Sequence, residues 1–169
     1  LCNLGMSGMP FVGTDVGGFG SDTTGELLCR WVQVGCFSPF FRNHSAMGTR
    51  RQEPWRFGKE VLDVYRKYVK LRYKLLPYIY DLFFQGEQTG APIMRPLVYH
   101  YEKDAVAKSC NDEFLVGENM LVAPVVMQGM TKRMVYLPEG TWYDYWTKEK
   151  HVGPTWLIKD APIDVCPIY

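Results

Sequence analysis

No apolar stretch in this chain approaches the ~18 residues that read as a membrane span, so none is expected. Charge of a single sign is missing too. Lys and Arg number 19 against 18 Asp and Glu, giving a net charge of +1 with both signs mixed along the chain. Without a basic run, a nucleic-acid surface is not expected. The five cysteines, Cys2, Cys29, Cys36, Cys110 and Cys166, are odd in number and contain no C-x-x-C pair. That argues against a disulfide framework and against a zinc site. Cys29 and Cys36 fall two turns apart on a predicted helix, about 10.5 Å along its axis, too far to bridge. Buried thiols suit a reducing compartment, so a cytoplasmic location is the expectation, although a signal segment upstream would leave no trace here. Histidine is scarce. His100 and His151 neighbour charged runs and read as surface positions, which leaves His44. Neither an internal repeat nor a low-complexity segment occurs.

What is present fits a globular piece. The 169 residues are enough for one domain or parts of two, and the 47% apolar content supports a sizeable core. Aromatics reach 15%, which suits sugar platforms and aromatic core packing equally well.

The most informative stretch runs from Pro10 to His44. Met9 to Val12 reads as a short buried strand ending at Gly13, with Asp15, Gly17, Gly18, Phe19 and Gly20 in the loop that follows. Phe40 and Phe41 repeat the design, ending in Arg42, Asn43 and His44. Between them lies a helix pattern. Ser21 to Thr24 offer N-caps, Thr23 and Glu26 stand at capping-box spacing, and Leu27, Leu28, Trp31, Val32 and Val34 supply the apolar face. Strand, loop, helix, strand, loop is the order of a parallel α/β unit, whose ligand sites lie where strands open into loops. From the residues alone, His44 is a ligand or a satisfied core residue. Asp15 contacts a ligand or caps a turn, and Phe19 is core or pocket wall.

A long helix follows. Val61, Val64, Tyr68, Leu71, Leu75, Tyr78 and Leu82 form one apolar stripe, and Leu62, Tyr65, Val69, Leu76, Ile79 and Phe83 a second, interrupted by Arg72. Two stripes make a face wider than a surface helix needs, so the helix is expected between the first region and the next. Pro77 should kink or split it near Lys74 to Leu76, and Gly86 and Gly90 should end it. Beyond Gly90 the texture becomes that of short strands: Ile93 to Tyr101, two around Gly117 to Asn119, Arg133 to Leu137 before a turn at Pro138-Glu139-Gly140, Thr141 to Trp146, Trp156 to Ile158, and Ile163 to Ile168. Glu102 to Glu113 reads as a loop. This is the pattern of an antiparallel sandwich. In GTWYDYW, alternation sends Trp142 and Asp144 one way and Tyr143 and Tyr145 the other, so one face is core and an independent sugar site there is the lesser alternative to a bracing role.

These residues resemble a family. GTDVGGF at Gly13 to Phe19, RNH at Arg42 to His44 and LRYKLLPYIYDLF at Leu71 to Phe83 look like glycoside hydrolase family 31, the α-glucosidase family. MRPL at Met94 to Leu97, FLVGENMLVAPVV at Phe114 to Val126 and PEGTWYDYWT at Pro138 to Thr147 continue the likeness in order. The resemblance implies α/β plus all-β architecture: residues 1–93 as the C-terminal portion of a (β/α)8 TIM barrel, and 94–169 as the following antiparallel β-sandwich domain. Members hydrolyse α-glycosidic bonds with retention, using two aspartates in WxDMNE-like and GDN-like segments. Neither segment occurs here, so the chain alone is expected to be inactive and its partner is the rest of the same polypeptide. By the same resemblance His44 hydrogen-bonds a hydroxyl of the innermost glucose, Asp15 lines that pocket, Phe19 forms its apolar wall, and Arg42 holds the loop through a charge-assisted bond. Substrate-binding residues are thus His44, Asp15, Phe19 and Arg42; the substrate is an α-linked oligosaccharide, with no metal, cofactor, nucleic acid or membrane involved. α-Xylosidase and other members, or a non-catalytic carbohydrate-binding or scaffold homologue, are the alternatives.

Overall fold

The computed structural model describes residues 1–169, which divide into two compact units, Asn3–Ile93 and Met94–Tyr169. The first opens with a short helix α1 (Cys2–Met6), then strand β1 (Gly13–Val16), helix α2 (Gly25–Gly35), strand β2 (Phe40–Asn43), a 3₁₀ turn at Pro54–Phe57 and helix α3 (Lys59–Thr89). β1 and β2 pair in parallel, with Gly13 opposite Phe40 and Asp15 opposite Arg42. The strand therefore lies four residues later than the apolar run suggests. Met9 and Phe11 are exposed, and the pairing extends through Gly13 and Asp15, so Asp15 sits inside the strand and not in the loop after it.

Helix α2 starts at Thr24, whose hydroxyl accepts the Leu27 N–H at 3.2 Å. The cap is thus Thr24, one residue beyond the Thr23 of the proposed capping box. Leu28, Cys29, Val32, Cys36 and Phe37 are fully buried, whereas Leu27 faces out. Helix α3 runs 31 residues through Pro77 and Gly86 without a break and ends in the left-handed Gly90. Its buried line, Val64, Tyr68, Leu71, Leu75, Ile79 and Leu82, follows the first predicted stripe except that Val61 is only partly buried and Ile79 replaces Tyr78. Arg72, placed between stripes by the sequence, fixes the connection leading into β2. Its guanidinium donates to the carbonyls of Cys36 (3.2 Å), Ser38 (2.6 Å) and Pro39 (2.8 Å). Those carbonyls lie just past the end of α2.

The second unit is built on two antiparallel sheets. β3 (Met94–Pro96), β4 (Phe114–Val116) and β5 (Met120–Val122) form one, and β6 (Lys132–Tyr143) with β7 (Lys150–Asp160) the other. Leu115 and Leu121 from the first sheet share a core with Val135, Leu137 and Trp142 from the second, as a sandwich requires. The predicted loop at 102–113 holds helix α4 (Ala105–Ser109), capped by Asp104 on the N–H groups of Val106 and Ala107. The predicted turn at Pro138-Glu139-Gly140 is a bulge: β6 continues through it while β7 keeps pairing, with a register shift between Leu137 and Gly140. Gly153 makes room for it, since a Cβ there would sit 1.8 Å from the Pro138 carbonyl oxygen. That same oxygen accepts the Trp142 indole N–H at 2.9 Å. Ile163 to Ile168 forms no strand beyond a single bridge from Ile168 to Val122.

Face assignment in GTWYDYW follows alternation: Trp142 and Asp144 are buried, Tyr143 exposed and Tyr145 half-buried. Asp144 is fully enclosed, accepting the amides of Trp146 and Thr147 and pairing with Lys159 at 2.5 Å. Of the two remaining histidines, His100 is exposed as expected, with Nε2 2.8 Å from the buried Arg95 guanidinium, whereas His151 has its side chain largely covered beside Tyr169, at 5.8 Å between rings.

Candidate functional site

The parallel pairing sets the site. Because Asp15 and Arg42 are register partners on adjacent strands, their side chains leave the same face side by side. Arg42 donates from Nε and from a terminal nitrogen, each at 2.7 Å, to Asp15 Oδ1. Both hydrogen bonds land on one oxygen, so Oδ2 keeps its lone pairs. Arg42 also stacks its guanidinium 5.1 Å from the Phe40 ring centroid. The pair is only partly covered, with the two side chains 47% and 22% exposed.

A second pair forms just beyond the strand ends. The Phe19 and His44 rings lie 5.4 Å apart with a 32° tilt, and the Ala46 N–H donates to the Phe19 carbonyl at 2.9 Å, tying the two loops together. Both rings are exposed, so of the two readings of His44 the satisfied core residue falls away. The reason is positional: His44 is the first residue past β2, on the rim and not within the packed layer. The four sequence-predicted residues are thus brought together as two pairs, Asp15 with Arg42 and Phe19 with His44.

Sequence reasoning missed the residue that joins these loops. Gln52 is buried and its Nε2 donates to Val16 O at 3.0 Å and to His44 O at 2.9 Å. Asn43, the middle of the RNH triplet, returns the favour by donating Nδ2 to the Gln52 carbonyl at 3.0 Å, and it lies 3.5 Å from the Tyr65 hydroxyl. Burial holds the Tyr65 phenol above its usual range, against the opposing bond from Asn43. Gly17 is what admits Gln52: it has φ +95°, and a Cβ there would meet Gln52 Oε1 at 2.8 Å. No signal in the sequence singles out Gln52.

One other cluster has metal-ligand atoms close together. Cys110, Asp112 and Glu113 in the second unit have ligand atoms within 4.8 Å of one another. The Arg133 guanidinium already serves that spot, lying 3.2 Å from Asp112 and 3.1 Å from Glu113 and donating to the Asp112 and Pro124 carbonyls. A cation is therefore already in place between the carboxylates.

Parallel strands joined by a helix, with an ionic and an aromatic pair near the strand ends, are the arrangement of a β/α barrel segment. The chain belongs to glycosyl hydrolase family 31: residues 1–82 match the family's TIM-barrel domain and residues 90–169 its C-terminal domain. Alpha-glucosidase 2 of Bacillus thermoamyloliquefaciens is 50% identical over 167 residues, covering 99% of this chain and 21% of its own length. Neutral alpha-glucosidase AB of Homo sapiens is 40% identical over 169 residues, covering 99% of this chain and 18% of its own. Among solved structures, a Flavobacterium johnsoniae family 31 dextranase complexed with isomaltotriose matches with a TM-score of 0.94 at 41% identity, over 99% of this chain and 21% of that one. A family 31 alpha-xylosidase from a soil metagenome, complexed with xylose, gives 0.93 at 34% identity, over 99% and 28%. The chain spans about a fifth of the length of the curated relatives it matches. No helix is long and apolar enough to cross a membrane.

Proposed function

We propose that this chain forms part of the sugar-binding rim of a retaining α-glycosidase, an α-glucosidase by its closest chemistry, acting on terminal α-linked glucose. The nucleophile and the acid/base are supplied by the remainder of that enzyme. The observation that carries this reading is the pairing of Phe19 with His44 at the strand ends, next to the register-matched Asp15 and Arg42. A sugar offers hydroxyls around an apolar ring face, and these four residues offer the complement. Phe19 gives a flat apolar wall. His44, exposed on the rim, can donate from one ring nitrogen and accept at the other. Asp15 Oδ2 can accept a hydrogen bond from a sugar hydroxyl while Arg42 holds Oδ1 and orients the carboxylate.

In the reaction, one carboxylate attacks the anomeric carbon while a carboxylic acid protonates the departing oxygen, and water then hydrolyses the glycosyl-enzyme. The part played by this chain is positional. Hydrogen bonds from His44 and Asp15 hold the ring as it flattens toward the oxocarbenium-like transition state, so binding energy remote from the bond being broken lowers the barrier. In the complete enzyme, His44→Ala is expected to lower kcat/KM at least ~10-fold, about 1.4 kcal/mol of transition-state binding. Turnover of an aryl α-glucoside measures it, and an unchanged rate sinks the assignment. The α-xylosidase among the structural relatives keeps a pentose-specific enzyme as the second reading. Parallel assays on aryl α-glucoside and aryl α-xyloside separate the two.

A further inference from the structure

We propose that Gln52 is the positioning residue of this site: a single side-chain amide that sets where His44 stands relative to the β1 loop. This rests on the sugar-contact reading of His44 and adds to it the device that makes the contact possible. His44 belongs to a stretch, residues 44–53, that lies between β2 and the 3₁₀ turn and contains no helix or strand. A loop of that kind does not by itself hold a ring to within the fraction of an ångström that catalysis needs. Gln52 supplies the missing restraint. One nitrogen, Nε2, uses its two protons on two different strand ends, Val16 O at 3.0 Å and His44 O at 2.9 Å. Val16 closes β1 and His44 follows β2, so the amide spans the two segments that carry Phe19 and the imidazole.

Four further observations fit positioning better than filling of space. The arrangement is reciprocal, because the Asn43 side chain holds the Gln52 backbone while the Gln52 side chain holds the His44 backbone. The amide orientation is forced, since the flipped rotamer would set Oε1 against two carbonyl oxygens. That orientation also leaves Oε1 buried without a hydrogen-bond partner, an unfavourable arrangement for a side chain whose task is only to pack. Gly17, in a backbone conformation that side-chain-bearing residues avoid, leaves the space into which the amide fits.

The test is a double-mutant cycle in the full-length enzyme, using Gln52→Glu and His44→Ala, with kcat/KM on an aryl α-glucoside and melting temperature as readouts. Gln52→Glu keeps the shape and leaves at most one donor, so the amide's double bridge is lost. The expected result is a loss of about tenfold for Gln52→Glu alone and less than about twofold for the same change made in the His44→Ala background. Any fall in melting temperature should be the same in both backgrounds. A purely structural role gives the opposite pattern, with activity losses that multiply, and that outcome overturns the proposal. So does full activity in folded Gln52→Glu. If His44→Ala alone leaves activity unchanged, the sugar-contact reading itself fails; if it costs tenfold while the Gln52 effect multiplies, only the positioning role fails. Gln52→Met, which removes the donors without adding a buried charge, carries the same cycle should Gln52→Glu not accumulate as folded protein.

Discussion

The two units handle charge in opposite ways. In the first, the ion pair Asp15–Arg42 is half open to solvent and sits on a rim beside exposed rings. In the second, charges are enclosed: Arg133 and Glu113 have side chains 9% and 1% exposed, and Asp144 is fully buried against Lys159. Exposed pairs contribute little to stability but remain available to a ligand. Enclosed pairs offer nothing to a ligand, yet removing one partner leaves a charge stranded in a poorly solvated place. The first unit should therefore show activity phenotypes without stability loss, and the second stability loss without a direct chemical role.

The sharpest way to break this contrast is Arg133→Ala. It strands Glu113 and removes the donor that holds the Asp112 and Pro124 carbonyls, so a loss of about 3–5 kcal/mol is expected in denaturant unfolding. A loss below about 1 kcal/mol would place Arg133 with the rim pairs instead.

The next effect is a pH dependence. Burial pushes the Glu113 carboxyl up to about 7 from an ordinary 4.5, against the opposing pull of the Tyr136 amide and Arg133. A carboxyl that holds its proton more tightly folded than unfolded stabilises the fold fully below about 4.5 and loses that contribution as pH rises through about 7. Glu113→Gln should therefore gain on the wild type by up to about 3 kcal/mol between pH 4 and pH 8. Unfolding curves at each pH measure the difference, and a pH-independent gap would contradict it.

The smallest stability change belongs to the rim. Arg42→Ala should shift unfolding by less than about 1 kcal/mol, since its pair is exposed, while lowering kcat/KM of the complete enzyme about tenfold by releasing Asp15. Comparable effects on both readouts would erase the distinction between the units.

Much of this was legible from sequence, and the failures share a cause. The buried line of α3 and the facing of Trp142 against Tyr143 follow from local periodicity, which acts within one element. The gathering of Asp15, Phe19, Arg42 and His44 followed from two loops ending adjacent strands. What escaped depends on a second chain segment. β1 includes Gly13 and Asp15 because β2 pairs with them, against their own low strand preference. Pro138-Glu139-Gly140 bulges where an isolated peptide would turn, because β7 continues opposite it. Gln52 is the clearest case: nothing in Arg51-Gln52-Glu53 distinguishes its amide until folding carries Val16 and His44 to either side of it.

The convergence of three carbonyls on Arg72 has one more implication. The start of β2 is anchored from behind by a planar fork projecting from the middle of α3, so the rim inherits its location from a rigid rod and not from the linker that precedes it. A lysine there would tether its acceptors through a single mobile ammonium, and the strand would leave its linker through a hinge.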